Sequence, residues 1–237
     1  MHIAILVTNT DHSEFADRHP KDGEKFSRFL HGVRPDWKVS VFEVKDGEFP
    51  IGTDQFDGLL ITGSPASVHD NLVWIPTLKL LISKAFASGQ PIFGACFGHQ
   101  VIAEVLGGKV VDNPDGWEFG AVEVNHRDTP EWAQHLGTSF TLYAAHKEQV
   151  ARLPEGAVSI ASGPGCPCAG FRIGDRLYTT QYHPEMEHDF ITALTQELRG
   201  DLPDNVIDRS MASLSNHADG RAYAESVARF FEASVGG

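Results

Sequence analysis

A doubly wound α/β fold is what this chain of 237 residues predicts: a mostly parallel sheet with helices on both faces. Three observations carry that reading. Short, continuous apolar runs recur through the first half of the chain. Stretches with apolar residues at helical spacing separate them, and glycine-containing turns close them. Strands that alternate with helices pair in parallel and need cover on both faces of the sheet.

The elements follow in order. His2-Ile3-Ala4-Ile5-Leu6-Val7 is apolar, is bounded by Thr8-Asn9-Thr10, and reads as a buried strand. Residues 22–30 place Phe26, Phe29 and Leu30 on one helical face. Residues 38–44 alternate as a strand does. Gly58-Leu59-Leu60-Ile61-Thr62 is a second buried strand that ends in Gly63-Ser64-Pro65. Residues 74–87 carry Leu78, Leu81, Ile82 and Ala85 on one side of a helix. Pro91-Ile92-Phe93 then leads through Gly94-Ala95-Cys96-Phe97-Gly98-His99-Gln100 into an apolar-periodic stretch that stops at Gly107-Gly108. Beyond it the chain is richer in strands, at 121–124, 140–143, 158–161 and 171–182, with turns at Gly163-Pro164-Gly165 and Gly174-Asp175. Two helical patterns, separated by residues 200–203, fill the tail from about 189 to 235. No linker or repeat interrupts the chain, so a single domain over 1–237 is expected, with a core over about 1–190.

Composition narrows the function. A hydrophobic fraction of 41% supports a buried core. A formal net charge of −13 repels nucleic acid and anionic membranes, which favours small-molecule substrates. Three cysteines do not suggest a disulfide framework. The first residues lack the basic n-region of a signal peptide, and no apolar run is long enough to span a bilayer, so a reducing cytoplasm is the expected location.

The 94–100 segment carries the chemistry. A strand enters a tight turn, a cysteine occupies the turn, and a helix begins at once. This is a nucleophile elbow with sulfur as the attacking atom. The dipole and free N–H groups of the helix favour a negative charge at Cys96, and Gly94 and Gly98 let backbone segments pack closely around a strained turn. A thiol nucleophile needs a base, and the base needs an orienting group. His183-Pro184-Glu185 follows an extended run, where residues two apart share a side, so the Glu185 carboxylate can fix the His183 imidazole. An oxyanion hole completes such a site: one N–H from Phe97, a second from the turn at Gly63 and Ser64. Cys166-Pro167-Cys168 lacks zinc-site spacing and has no second pair, so no metal site is expected. His99 is too close to the thiol in sequence to serve as the base and reads as a packing or solvent-facing group; His69 and Asp70 read as structural.

Together these pieces resemble the class I glutamine amidotransferase family. Its Gly-x-Cys-x-Gly-x-Gln signature is matched by Gly94, Cys96, Gly98 and Gln100, and its Gln-Phe-His-Pro-Glu signature by Gln181, Tyr182, His183, Pro184 and Glu185, with tyrosine for phenylalanine. The oxyanion turn is matched by Gly63-Ser64-Pro65, and the resemblance spans most of residues 1 to about 190. It implies a flavodoxin-like sheet and a triad of Cys96, His183 and Glu185. The implied reaction is hydrolysis of a γ-glutamyl amide through a cysteine thioester. Gln100 and the backbone at Ala145, His146 and Lys147 match positions where family members hold the substrate's amino and carboxylate groups. Lys147 stands where synthetase-linked members often have glycine. Gly116-Trp117-Glu118-Phe119-Gly120 looks like a segment of stand-alone members, among them plant γ-glutamyl peptidases. The resemblance thus implies no cofactor and a small γ-glutamyl substrate. Any ammonia acceptor would be a separate synthase subunit, since the chain has no P-loop. A binding module that kept the fold without turnover is the expectation from another class.

Overall fold

The computed structural model describes residues 1–235. β1 (His2–Leu6), β2 (Lys38–Phe42), β3 (Gly58–Ile61) and β4 (Ile92–Ala95) pair in parallel in the order β2-β1-β3-β4. α1 (Glu14–Asp17) and α2 (Asp22–His31) join β1 to β2, α3 (Trp74–Ala87) joins β3 to β4, and α4 (Phe97–Val105) leaves β4 directly. Helical connections such as α2 and α3 are the crossovers that parallel pairing demands.

The second half extends the same sheet. β6 (Glu118–His126), β7 (Ser139–His146), β9 (Val158–Gly163), β10 (Cys166–Ile173) and β11 (Leu177–Thr180) complete the order β2-β1-β3-β4-β11-β10-β9-β6-β7. β11 is the seam: it lies parallel to β4 on one edge and antiparallel to β10 on the other. β5 (Lys109–Asp112) and β8 (Glu148–Arg152) form a separate antiparallel pair. The tail consists of α5 (His188–Glu197), α6 (Asp204–Ser213) and α7 (Gly220–Val235).

Period-2 alternation divides the core between the two faces of the sheet. Ile3, Ile5 and Val7 point to one side, where Phe26, Phe29 and Leu30 of α2 meet Tyr223, Val227, Phe230 and Phe231 of α7. Ala4 and Leu6 point to the other, against Leu78 and Ile82 of α3 and Val101 and Ile102 of α4. A third cluster packs Ile191, Val206 and Ile207 of α5 and α6 on Phe119 and Tyr143 of β6 and β7. The fold class thus stands as read, a mixed sheet whose parallel half carries helices on both faces.

Some boundaries differ. The strand expected over 38–44 stops at Phe42, and Val44 opens a 3-10 turn closed by Gly47. The stretch 171–182 divides at Gly174, whose φ of 52° turns the chain from β10 into β11. β5 and β8 were not expected, because their Lys109, Asp112, Glu148 and Arg152 break any apolar pattern. The tail has three helices and not two; the extra break, at 215–219, is polar and contains neither glycine nor proline. Among the described residues no helix is long and apolar enough to cross a membrane.

Candidate active site

Cys96 sits between β4 and α4 with φ 51° and ψ −106°. It is the one non-glycine residue with positive φ among the described residues. Such a conformation costs on the order of 1–3 kcal/mol and persists only where neighbours over-determine it. Here three backbone bonds do so. Cys96 N–H donates to Thr180 O at 2.9 Å, Gly98 N–H to Thr62 O at 3.1 Å, and Gln100 N–H to Cys96 O at 3.0 Å. The elbow is therefore tied to β11 on one side and to the end of β3 on the other. The expected steric role of the glycines is visible: a Cβ on Gly94 would lie 2.7 Å from the Gly98 carbonyl, and one on Gly98 would run into the Ile61 carbonyl oxygen. The thiol is buried, with 4% of the residue exposed.

His183 enters from just beyond β11. Its N–H donates to Tyr143 O at 2.8 Å, fixing the backbone against β7. Its Nδ1 lies 2.8 Å from Oε1 of Glu185, and both residues are buried. A carboxylate only accepts, so Nδ1 carries the proton in that bond and Nε2 is left for chemistry. Burial pulls the imidazole toward the neutral form, but the Glu185 carboxylate and then the Cys96 sulfur outweigh it and hold its pKa well above the usual 6.5. Gly63 forms the adjoining wall: a Cβ there would fall 2.7 Å from His183 Cε1 and 3.5 Å from Cys96 Cβ. The structure thus brings Cys96, His183, Glu185 and the Gly63 turn together.

The amides of Phe97, Gly63 and Ser64 have no hydrogen-bond acceptor among the described residues. For Phe97 this follows from its place at the first position of α4, where the helix supplies no partner. The Gly63 turn is held from behind by Thr8, whose Oγ1 donates to Gly63 O at 2.9 Å and whose N–H donates to Thr62 Oγ1 at 3.0 Å. Sequence reading missed Thr8; a threonine just past the first strand carries no local signal of that contact.

The residues expected around the substrate make the following contacts within the protein. The Gln100 side chain is engaged within the protein: Nε2 donates to Glu148 O at 2.8 Å and to Gln181 Oε1 at 3.2 Å. Gln181 in turn donates from Nε2 toward Cys96 Sγ at 3.8 Å, a site contact not foreseen. The side chain of His146 turns to Glu118 at 2.9 Å and to Glu148 O at 3.0 Å. The ammonium of Lys147 lies 3.7 Å from Asp112 on the exposed side of the β5–β8 pair, while Ala145 pairs with Phe119 across β6 and β7. Glu148 also accepts from Ser67 Oγ at 2.9 Å, so the loop after the Gly63 turn is fastened to β8. His99 is a packing residue and is wholly buried, not solvent-facing; it meets Thr179 Oγ1 at 2.9 Å. Burial, then the nearby His146, lowers its pKa to about 3. Asp70 closes its own loop onto Ser67 N–H at 2.9 Å.

In sequence and fold the chain is similar to known proteins. The family model described as glutamine amidotransferase class-I matches residues 31–191. In Saccharomyces cerevisiae the protein named glutamine amidotransferase YLR126C, an assignment its name marks as provisional, is 34% identical over 79% of each chain. Gamma-glutamyl peptidase 4 of Arabidopsis thaliana is 27% identical over 96% of this chain and 94% of its own. A GMP synthase of Aeropyrum pernix is 34% identical over 55% of this chain but only 24% of its own length. Among solved structures, a glutamine amido transferase from Methylobacillus flagellatus superposes with a TM-score of 0.76 at 24% identity, covering 98% of this chain and 93% of that one, a likeness of fold.

Proposed function

The chain belongs to the class I glutamine amidotransferase family of cysteine-dependent enzymes, and from that premise we propose that it hydrolyses a γ-glutamyl amide bond with Cys96, His183 and Glu185 as the triad. The Cys96 thiolate attacks the γ-carbonyl carbon. A C–S bond forms as the carbonyl electron pair moves onto oxygen, where the amides of Phe97 and of Gly63 or Ser64 receive the charge. The oxyanion collapses, the C–N bond breaks, and His183 gives its Nε2 proton to the departing ammonia or amine. Neutral His183 then takes a proton from water. The hydroxide attacks the thioester, the C–S bond breaks, and glutamate leaves with the thiolate and imidazolium restored. Glu185 holds Nδ1 throughout and offsets the imidazolium charge, as the acid does in serine triads.

The observation that carries this reading is the 2.8 Å bond between His183 and Glu185 beside a cysteine held at positive φ on an elbow. Its test is a panel of glutamine, glutathione and γ-glutamyl amines, scored by glutamate release from the purified protein alone. Release from at least one class, lost in Cys96→Ala, is the expected result. Turnover that persists in Cys96→Ala overturns the covalent mechanism. No release from any class leaves the non-catalytic binding module as the better account.

Within this chemistry, hydrolysis of γ-glutamyl peptides is the favoured variant. The likeness to a gamma-glutamyl peptidase runs nearly end to end in both chains, whereas the likeness to GMP synthases covers about a quarter of their length. The other variant is glutaminase activity that passes ammonia to a synthase subunit. Preference for glutathione over glutamine supports the first; glutamine turnover that appears only when a synthase is added supports the second. A site in the cytoplasm suits the free thiol that either variant requires.

A further inference from the structure

Gln181 and His183 both serve Cys96. Tyr182, between them, turns instead to a second polar cluster that the proposed chemistry does not use. Its hydroxyl donates to Oε2 of Glu118 at 3.3 Å. Beside it, single ligand atoms of Glu118, His146 and Cys166 all lie within 4.8 Å of one another. These residues come from β6, β7 and β10, so no spacing in the sequence announces them. Sequence reading paired Cys166 with Cys168; the fold pairs it with an imidazole and a carboxylate.

Hydrogen-bond accounting leaves this cluster short of a cation. His146 Nδ1 is 3.0 Å from the Glu148 carbonyl oxygen, which only accepts, so Nδ1 carries the ring proton. In the neutral ring Nε2 is then a bare lone pair, yet it faces Oε2 of Glu118 at 2.9 Å. Two acceptors at that distance need positive charge between them. A proton would serve that pair alone. The second oxygen of Glu118, Oε1, is buried with no hydrogen-bond partner among the described residues, and Glu118 as a whole is only 9% exposed. Cys166 is fully buried beside it.

We propose that Glu118, His146 and Cys166 form a binding site for Zn²⁺ or a similar thiolate-accepting divalent cation, with the Tyr182 hydroxyl closing the fourth side. Imidazole, thiolate and carboxylate are the donors Zn²⁺ takes, at bond lengths of about 2.0–2.3 Å. The backbone carbonyl on His146 Nδ1 is the usual outer support of a metal-bound histidine. Binding forms an S–metal bond at Cys166 and releases the thiol proton to solvent, so uptake strengthens as pH rises. The ion would staple β6, β7 and β10 behind Tyr182 and leave Cys96 and His183 free. It does not depend on the proposed hydrolysis.

The test strips the purified protein with a chelator and titrates it with Co²⁺. A thiolate-to-cobalt charge-transfer band saturating at one equivalent per chain is expected. It should persist in Cys96→Ser and vanish in Cys166→Ser, and Zn²⁺ should bleach it in the wild type. Should Cys166→Ser fail to fold, X-ray absorption on the zinc-loaded wild type decides: one sulfur with nitrogen and oxygen neighbours supports the site. A shell without sulfur, a band that survives Cys166→Ser, or a band that depends on Cys96 overturns it. So does a wild type that takes up no metal, whose His146 ring carries protons on both nitrogens by ¹⁵N NMR.

Discussion

At the residue scale the site is governed by what surrounds one sulfur and one imidazole. Alkylation separates the three thiols: iodoacetamide should label Cys96 well ahead of Cys166 and Cys168. Cys166 is fully buried, and burial pushes the Cys168 thiol upward in pKa. Equal labelling rates would refute an activated Cys96. His183→Ala should lower glutamate release by about 10²–10⁴-fold, the usual range for a general acid-base. Glu185→Gln should cost less, and it should move the alkaline limb of the pH profile to lower pH, because the carboxylate is what raises the imidazole against burial. The reverse ranking of the two variants would mean the roles are misassigned. The same shift bears on stability. His183 binds its proton more tightly when folded, so its contribution is fully present below about pH 6.5 and is lost as pH rises through its elevated folded value. Thermal midpoints of wild type and Glu185→Gln across neutral to alkaline pH should therefore converge at the alkaline end. Gly63→Ala sets a methyl against His183 Cε1. It should reduce turnover by on the order of 10²-fold, as a displaced catalytic group does, with the circular dichroism spectrum unchanged. The cysteine elbow with its glycines and the His183–Glu185 pair were legible because each is a short motif. The Gln181–Gln100–Glu148 chain was not, because a side chain's partner across the sheet leaves no mark on local spacing.

At the scale of elements, legibility followed apolar continuity. β1, β3 and α3 were readable because their buried residues form unbroken or helically spaced runs. The β5–β8 pair was invisible because Val110 and Val150 are its only side chains in the buried apolar core, with charged residues at the ends of both strands. α7 illustrates a tertiary attachment of the same kind. Its apolar face lies on the sheet, and its outer edge is fastened to the segment after α2 by Arg34, which meets Glu225 at 2.9 Å and Glu232 at 2.6 Å. Arg34's hydrogen bonds hold the Glu225 carboxyl down at about 2. That depressed value stabilises the fold above the unfolded carboxyl pKa, and the contribution is lost as pH falls from about 4.5 toward 2. Because the pair is about a quarter exposed, Arg34→Gln should cost no more than about 1 kcal/mol near neutrality, read as a shift in the denaturation midpoint. The variant should also show a flatter acid-side stability curve than the wild type. An unchanged curve would place Glu225's support in Arg229 instead.

At the scale of the whole molecule, the proposed nucleophile Cys96 and base His183 come from opposite halves of the chain, and the β4–β11 pairing unites them. Thr180, the last residue of β11, accepts from Cys96 N–H, and three residues later the chain presents His183. Alignment of sulfur and nitrogen is thus a matter of strand register, since Cys96 follows β4 directly and His183 stands three residues past β11. Heat should therefore abolish catalysis and melt the fold at one temperature. It also follows that cutting the peptide bond between the exposed Pro114 and Asp115 should leave a nicked but working enzyme, since the two fragments remain zipped edge to edge. Should such a clip silence the protein while its melting profile stays intact, covalent continuity rather than the interstrand seam would be what keeps the reacting atoms in line.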